Sequence, residues 1–303
     1  MANILLLDTN YLCHRAFHAV GAMSHSDVAT GTIYGVLRDI VSLQESFKTA
    51  HCVFAFDSDG RGHRQDLLPG YKAGRRERYT NETDEEREAR AAFRAQVRRL
   101  RDEYLPQAGF NNVFHAPGYE ADDVIARVAQ VADTIDDDII MVASDQDLWQ
   151  CLRPNVWLWN PHKKRGYSLD AFVAEWGLQP TQWATVKALA GCKSDDVPGV
   201  PGCGERTVAK WLRGELGANT KAYKALRAAR SLYRANKRIV KLPFHGTPNF
   251  TIRPDNVTAE SWYTLAKSLG MKSLMETPPY GVKINKKGRR RGITEEGLGI
   301  AGP

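Results

Sequence analysis

The carboxylates Asp8, Asp57, Glu120, Asp122, Asp123, Asp145, Asp147 and Asp195, with Asp196 adjacent, are the side chains of this sequence best placed to do chemistry together. Gathered in one place they would repel, because like charges a few ångströms apart raise one another's pKa unless cations hold them. Oxygen-only ligation selects a hard cation, Mg²⁺ or Mn²⁺, which takes a few carboxylates and keeps several waters. Two such ions about 4 Å apart can activate a water and stabilise the leaving oxygen in phosphodiester cleavage. The set is a hydrolase's equipment.

The elements that must position these acids can be read from the apolar runs Ile4 to Leu7, Cys52 to Phe56 and Ile139 to Ala143. Each is short, bounded by polar residues and separated from the next by helix-like stretches, the pattern of buried parallel strands with helical crossovers. Each ends at or just before an aspartate: Asp8, Asp57 and, after Ser144, Asp145. The C-terminal ends of parallel strands share one edge, where open α/β folds bind ligands, so three acids converge there. Ala121 to Ala132 reads as a helix, with Glu120 and Asp122 at its first turn, where the dipole favours negative charge. Taken singly, each acid could be a cap or a surface charge: Asp122 or Asp123 a plain first-turn acid, Asp147 the cap of a helix starting near Leu148. Jointly, acids after three separate strands make a structural explanation weak.

Two further features bear on a substrate. Between Gly60 and about Arg101 lie Arg61, Arg64, Lys72, Arg75, Arg76 and Arg78, an acidic stretch from Glu82 to Glu88, then Arg90, Arg94, Arg98 and Arg99 at helical spacing. Composition alone reads as a solvated helix beside a loop, but insertion beside the acidic edge suits a basic element that closes over a phosphate backbone. After helix-like stretches Leu169 to Trp176 and Thr181 to Ala190, the run Gly199-Val200-Pro201-Gly202-Cys203-Gly204 leads into a helix from Glu205 to Leu216. This resembles a helix-hairpin-helix, whose glycines let a backbone approach and whose turn amides can bind phosphate. Arg206 and Lys210 on its second helix would touch backbone without reading sequence.

The bulk properties agree. A net charge of +7 and a pI near 9.1 favour a polyanionic partner. The N-terminus lacks a basic leader, and no segment approaches the roughly 18 apolar residues of a membrane span, so a cytoplasmic protein is expected. The five cysteines have no close pairs, fitting neither a disulfide framework nor a zinc ribbon, and the eight histidines are scattered. The tryptophans read as packing residues. The absence of a nucleophile elbow and of a phosphate-binding Walker loop argues against acyl transfer and ATP hydrolysis.

The chain resembles the 5′ nuclease family, which includes the 5′-nuclease domain of bacterial DNA polymerase I, bacteriophage flap endonucleases and, more distantly, eukaryotic flap endonucleases. The resemblance is carried by Leu7-Asp8 with His14-Arg15-Ala16-Phe17-His18, by Phe54-Ala55-Phe56-Asp57, and by Arg64 with Gly70-Tyr71-Lys72-Ala73-Gly74-Arg75. It continues through Gly118-Tyr119-Glu120-Ala121-Asp122-Asp123, Ser144-Asp145-Gln146-Asp147-Leu148 and Ser194-Asp195-Asp196-Val197-Pro198-Gly199. It implies a PIN-like α/β nuclease core with a mainly parallel sheet over residues 1–180, an inserted helical arch at about 60–105, a helical DNA-binding region over 181–276 and a basic, flexible tail over 277–303.

In such an enzyme Asp8, Asp57, Glu120 and Asp122, with Asp123 nearby, would hold a first Mg²⁺ or Mn²⁺, and Asp145, Asp147 and Asp195 a second. Lys72 and Arg75 would stabilise the scissile phosphate, Tyr71 would stack on a terminal base, and Arg15 and Arg64 would contact phosphate. Gly199, Gly202, Gly204, Arg206 and Lys210 would grip the duplex, with a K⁺ at the hairpin. The implied activity is that of a monomeric 5′-3′ exonuclease or flap endonuclease acting on DNA 5′ ends, flaps and nicks in replication or repair. No polymerase-like segment follows, which suggests a stand-alone enzyme of a phage or bacterium. Cys192 stands where the family commonly has a further aspartate, and Gln146 replaces a common lysine. The rival readings are a junction-binding protein with little catalysis, made plausible by Cys192, and a related metal-dependent ribonuclease.

Overall fold

The computed structural model describes residues 3–20, 23–26, 28–130 and 137–283. The three apolar runs form the centre of a sheet because apolar partners cover both of its faces. Its strands are β1 (Asn3–Asp8), β2 (His51–Ala55), β3 (Val113–Phe114), β4 (Asp138–Val142), β5 (Val156–Asn160) and β6 (Arg165–Tyr167). They are arranged β3-β2-β1-β4-β5-β6, parallel except for the antiparallel edge strand β6. The order runs outward on both sides from the β1/β4 pair. This is the switch point at which crossovers leave in opposite directions and a crevice opens at the strand C-termini. Register puts Leu7 beside both Phe54 and Val142, so Asp8, Asp57 and Asp145 emerge on one edge.

Strand alternation divides the core into two layers. Leu5, Leu7, Phe54, Ile140 and Val142 pack on the face covered by the helices Thr9–Val20 and Gly31–Phe47, together with Trp262, Leu265 and Leu274 from near the end of the described chain. Ile4, Leu6, Val53, Ile139 and Met141 pack against Ala121–Ala129, Leu169–Trp176, Trp183–Ala190 and Glu205–Leu212. Residues on both sides of position 180 therefore share both layers. The helix expected to reach Ala132 is described as far as Ala129, and the end of the expected tail lies outside the described residues.

The basic insertion contains the helices Ala73–Thr80 and Asp84–Arg99. Thr83 and Glu86 form a reciprocal cap that starts the second, whose first turn is acidic and last turn basic, as the helix dipole prefers. Ala73–Thr80 buries no residue. The following helix is anchored by Phe93, whose ring lies 5.2 Å from that of Phe17, and by Gln96, which accepts a hydrogen bond from the Thr32 amide. The insertion is thus anchored in the core by its second helix, while its first packs no side chain into the core.

Candidate active site

Each acid at the sheet edge is placed by a local bond that the sequence around it dictates. Asp8 accepts from the Tyr11 amide (2.9 Å), capping the helix that begins at once after β1. Asp57 accepts from the Ala121 amide (2.8 Å), so the loop after β2 caps the helix carrying Asp122. Asp145 accepts from the Asp147 amide (2.7 Å), making Asp145, rather than Asp147, the cap of the short 3-10 turn Gln146–Cys151. Glu120, Asp122, Asp145, Asp147 and Asp195 line one small cleft of about 40 Å³, room for water-sized occupants, with Lys72 and Arg75 reaching in from the base of the insertion.

Electrostatics follow from this crowding. Withdrawal from water, then the charge of Asp57, pushes Asp8 up to about 7. Burial, then Asp145 and Asp8, holds Asp122 well above the carboxylate range, and burial followed by Asp145 pushes Asp147 up to about 6. Glu120 goes the other way: burial opposes ionisation, but Lys72 at 2.6 Å, then Arg64, hold it low. Among the described residues Asp122 Oδ1 is buried without a hydrogen-bond partner, which leaves it free to ligate a cation. Among the described residues no three His, Cys, Asp or Glu side chains stand close enough to form a ready-made cage. The acids share a cleft instead, and protein cations neutralise part of it: Lys72 on Glu120, Arg75 on Asp195 (3.2 Å) and Lys187 on Asp147 (3.1 Å). The all-oxygen donor set and the orphaned Asp122 oxygen fit hard divalent ions.

Several expected roles are corrected. Asp123 is fully buried and faces away from the cleft: both its oxygens are taken by Arg64 (2.6 and 2.7 Å), and it also accepts from the Glu120 and Phe244 amides. It is a structural partner, not a metal ligand. Arg64, expected to contact phosphate, is 4% exposed at the wall of the cleft, 3.6 Å from Glu120, and its Nε donates to the Ile239 carbonyl (2.9 Å), so in the structure its guanidinium is committed to protein partners. Tyr71, expected to stack on a base, is 5% exposed at the wall of the cleft and donates its hydroxyl to Glu120 (3.0 Å). Arg15 pairs with Asp39 and does not line the cleft. Asp196 adopts a left-handed backbone and accepts from the Gly74 amide, clipping the insertion to the 195–196 loop.

The hairpin divides its glycines by role. A Cβ on Gly199 would meet the Ala190 carbonyl oxygen at 2.0 Å, so this glycine is required by packing, whereas Gly202 (φ 74°) and Gly204 lie in open space. Arg206 is exposed but engaged with Glu175 and stacked 3.8 Å over Trp176, and Lys210 is exposed. Cys192 is buried and protonated, its thiol held up first by burial, and donates toward Asp195 (3.5 Å) rather than standing as a ligand. The sequence reading missed Lys187. This buried cation joins Asp147 to Glu205, the first residue of the hairpin's second helix, and nothing in its surrounding pattern marks it.

The fold is that of phage 5′-exonucleases. A solved T5 5′-exonuclease with bound zinc superposes with a TM-score of 0.68 at 21% identity, covering 91% of this chain and 99% of that one. In sequence, the chain is 32% identical over 219 residues to a 5′-3′ exonuclease of Bacillus subtilis, covering 69% of each. It is also 32% identical over 216 residues to DNA polymerase I of Mycobacterium tuberculosis, covering 69% of this chain and 22% of that protein, so it spans under a quarter of the polymerase's length. Residues 3–177 match the model of the 5′-3′ exonuclease N-terminal, resolvase-like domain, and the chain belongs to that family.

Proposed function

We propose that this protein is a divalent-metal-dependent 5′ nuclease that hydrolyses DNA phosphodiesters near 5′ ends, flaps and junctions. The observation that supports it most is the orphaned, buried Asp122 oxygen in a cleft lined by Glu120, Asp145, Asp147 and Asp195 beneath two cations of a basic insertion. Asp8, Asp57, Glu120 and Asp122 would hold one Mg²⁺ or Mn²⁺, and Asp145, Asp147 and Asp195 a second. When bound, such ions lower the pKa of water and screen the charge that develops on a transferring phosphoryl group.

The chain's own residues supply the rest. Lys72 and Arg75, now paired with Glu120 and Asp195, sit where a scissile phosphate would enter, and can exchange those carboxylates for phosphate oxygens. Lys72 carries a left-handed backbone at the first helix of the insertion and donates its amide to the Asp195 carbonyl, so its side chain is aimed by the cleft it serves. Orienting Asp147 falls to Lys187. The exposed start of the hairpin's second helix, with Gly202, Gly204, Lys210 and a K⁺, would grip duplex backbone a short way from the cut.

The B. subtilis relative carries the same activity name. Cleavage of an end-labelled 5′ flap with titrated Mg²⁺ and Mn²⁺ tests the reading: Asp122→Asn and Asp145→Ala should abolish product while retaining most DNA binding. Binding without product by the unaltered chain at every metal concentration would favour a junction-binding protein. Preference for RNA flaps would favour a ribonuclease.

A further inference from the structure

We propose that a second, cationic groove receives the single-stranded 5′ segment of the substrate after it has passed beneath the basic insertion; the proposal rests on the 5′-nuclease reading and specifies where that substrate's flap lies. The groove, about 1080 Å³, lies between the helix Ala121–Ala129 and the helix Arg230–Val240. Arg127, Arg234, Lys237, Arg238 and Lys241 line it, and its acid, Asp66, is already paired with Arg61 (2.9 Å).

Arg234, Arg238 and Lys241 are exposed and enter no ion pair among the described residues. Like charges along one wall repel, so their clustering is unfavourable unless a polyanion covers them. Arg127 adds a second observation: among the described residues its Nε is buried without a hydrogen-bond partner, while its Nη1 donates to Gln130 at the same wall. A donor left unsatisfied in a cationic groove is suited to an acceptor such as a phosphate oxygen.

Continuity argues for the 5′ strand rather than the duplex. The space beneath the insertion, some 450 Å³ bounded by Asp57, Lys72, Arg75, Arg94 and Tyr119, meets the groove at Tyr119, which lines both. Leu242 is likewise shared between groove and catalytic cleft. At the lip, the exposed ring of His63 lies 4.7 Å from that of the half-buried Tyr119 and is backed by the buried Phe244, so the imidazole is the surface open to an unstacked base. The hairpin helix Glu205–Leu212 and the groove helix Arg230–Val240 both pack on Trp183–Ala190, so the groove is formed by a different helix from the one that would grip the duplex.

The test compares two fluorescently labelled 5′-flap DNAs that share one duplex, with flaps of a single nucleotide and of about 20 nucleotides, well beyond the space under the insertion. Affinity is measured by anisotropy in EDTA over a series of salt concentrations, and cleavage with Mg²⁺. For the variant Arg234→Ala/Arg238→Ala/Lys241→Ala, whose sites are on the surface, long-flap affinity should fall about tenfold, and its log-log salt slope should shrink by about 2, as expected for three lost single-strand phosphate contacts. The short flap should change by less than about twofold. Equal losses on both DNAs would assign the groove to duplex, and no loss on either would leave it without DNA; each overturns the proposal. If the unaltered protein neither binds nor cuts either flap, the nuclease reading itself fails and the groove proposal with it.

Discussion

Arg64→Met separates two accounts of the insertion's base. Arg64 and Asp123 are 4% and 0% exposed and joined by two bonds of 2.6 and 2.7 Å, while Arg64 also binds the Ile239 carbonyl and Asp123 the Phe244 amide. The pair thus ties three parts of the chain together: the segment entering the insertion, the start of the Asp122 helix, and residues 239–244. Removing one member leaves a buried carboxylate without its partner, a loss of about 3–5 kcal/mol. For a domain of this size that corresponds to a Tm lower by about 6–20 °C, at roughly 2–4 °C per kcal/mol. Thermal and urea unfolding followed by circular dichroism would measure it, with flap affinity determined well below the variant's Tm. The double variant Arg64→Met/Asp123→Leu, which removes both charges, should recover much of the loss. A loss under about 1 kcal/mol accompanied by sharply weaker DNA binding would refute the reasoning and restore Arg64 as a phosphate contact.

Lys72→Ala should lower kcat by about 10²–10³ with a smaller change in KM, because its ammonium is aimed at the reacting phosphate; single-turnover cleavage of a labelled flap measures it, and an unchanged rate would remove Lys72 from the chemistry. The ion-free protein should lose stability as pH rises. Asp8 and Asp147, pushed up to about 7 and about 6, bind protons more tightly folded than unfolded, so their contribution is complete below about pH 4 and is lost as pH climbs through 6 and 7. Melting in EDTA should therefore show Tm falling between about pH 5 and pH 8, with Mg²⁺ reversing most of the fall, and a rising Tm would contradict the crowding of the cleft. Gly199→Ala should cost several kcal/mol, since its Cβ would strike the Ala190 carbonyl, whereas Gly202→Ala should cost about 1 kcal/mol from its positive φ; comparable losses in urea unfolding would undo this division.

The central sheet and its acidic edge were legible because each strand is a continuous apolar run ending at an aspartate, and parallel order sends those ends to one side. Asp8, Asp57 and Asp145 needed only that rule. The roles of Arg64, Asp123 and Tyr71 were not legible. Asp122 and Asp123 are adjacent in sequence, but the helix turns one toward the cleft and the other into the core, and only the partners brought by residues 239–244 decide which. Tyr71 looked like an exposed platform in a basic loop, yet Ile239 and Val240, some 170 positions later, cover it. Lys187 escaped notice because a lysine on an amphipathic helix ordinarily points to water, and its burial depends on Asp147 and Glu205 arriving from separate segments.

The most direct test of the account is isothermal titration of the DNA-free protein with Mn²⁺ near neutral pH, in buffers of differing ionisation enthalpy, for the unaltered chain and for Asp122→Asn. The account predicts ion uptake accompanied by proton release, as the protonated carboxyls of the cleft give up their protons, and marked loss of that uptake in the variant. No uptake by the unaltered protein, or identical uptake by both, would contradict it.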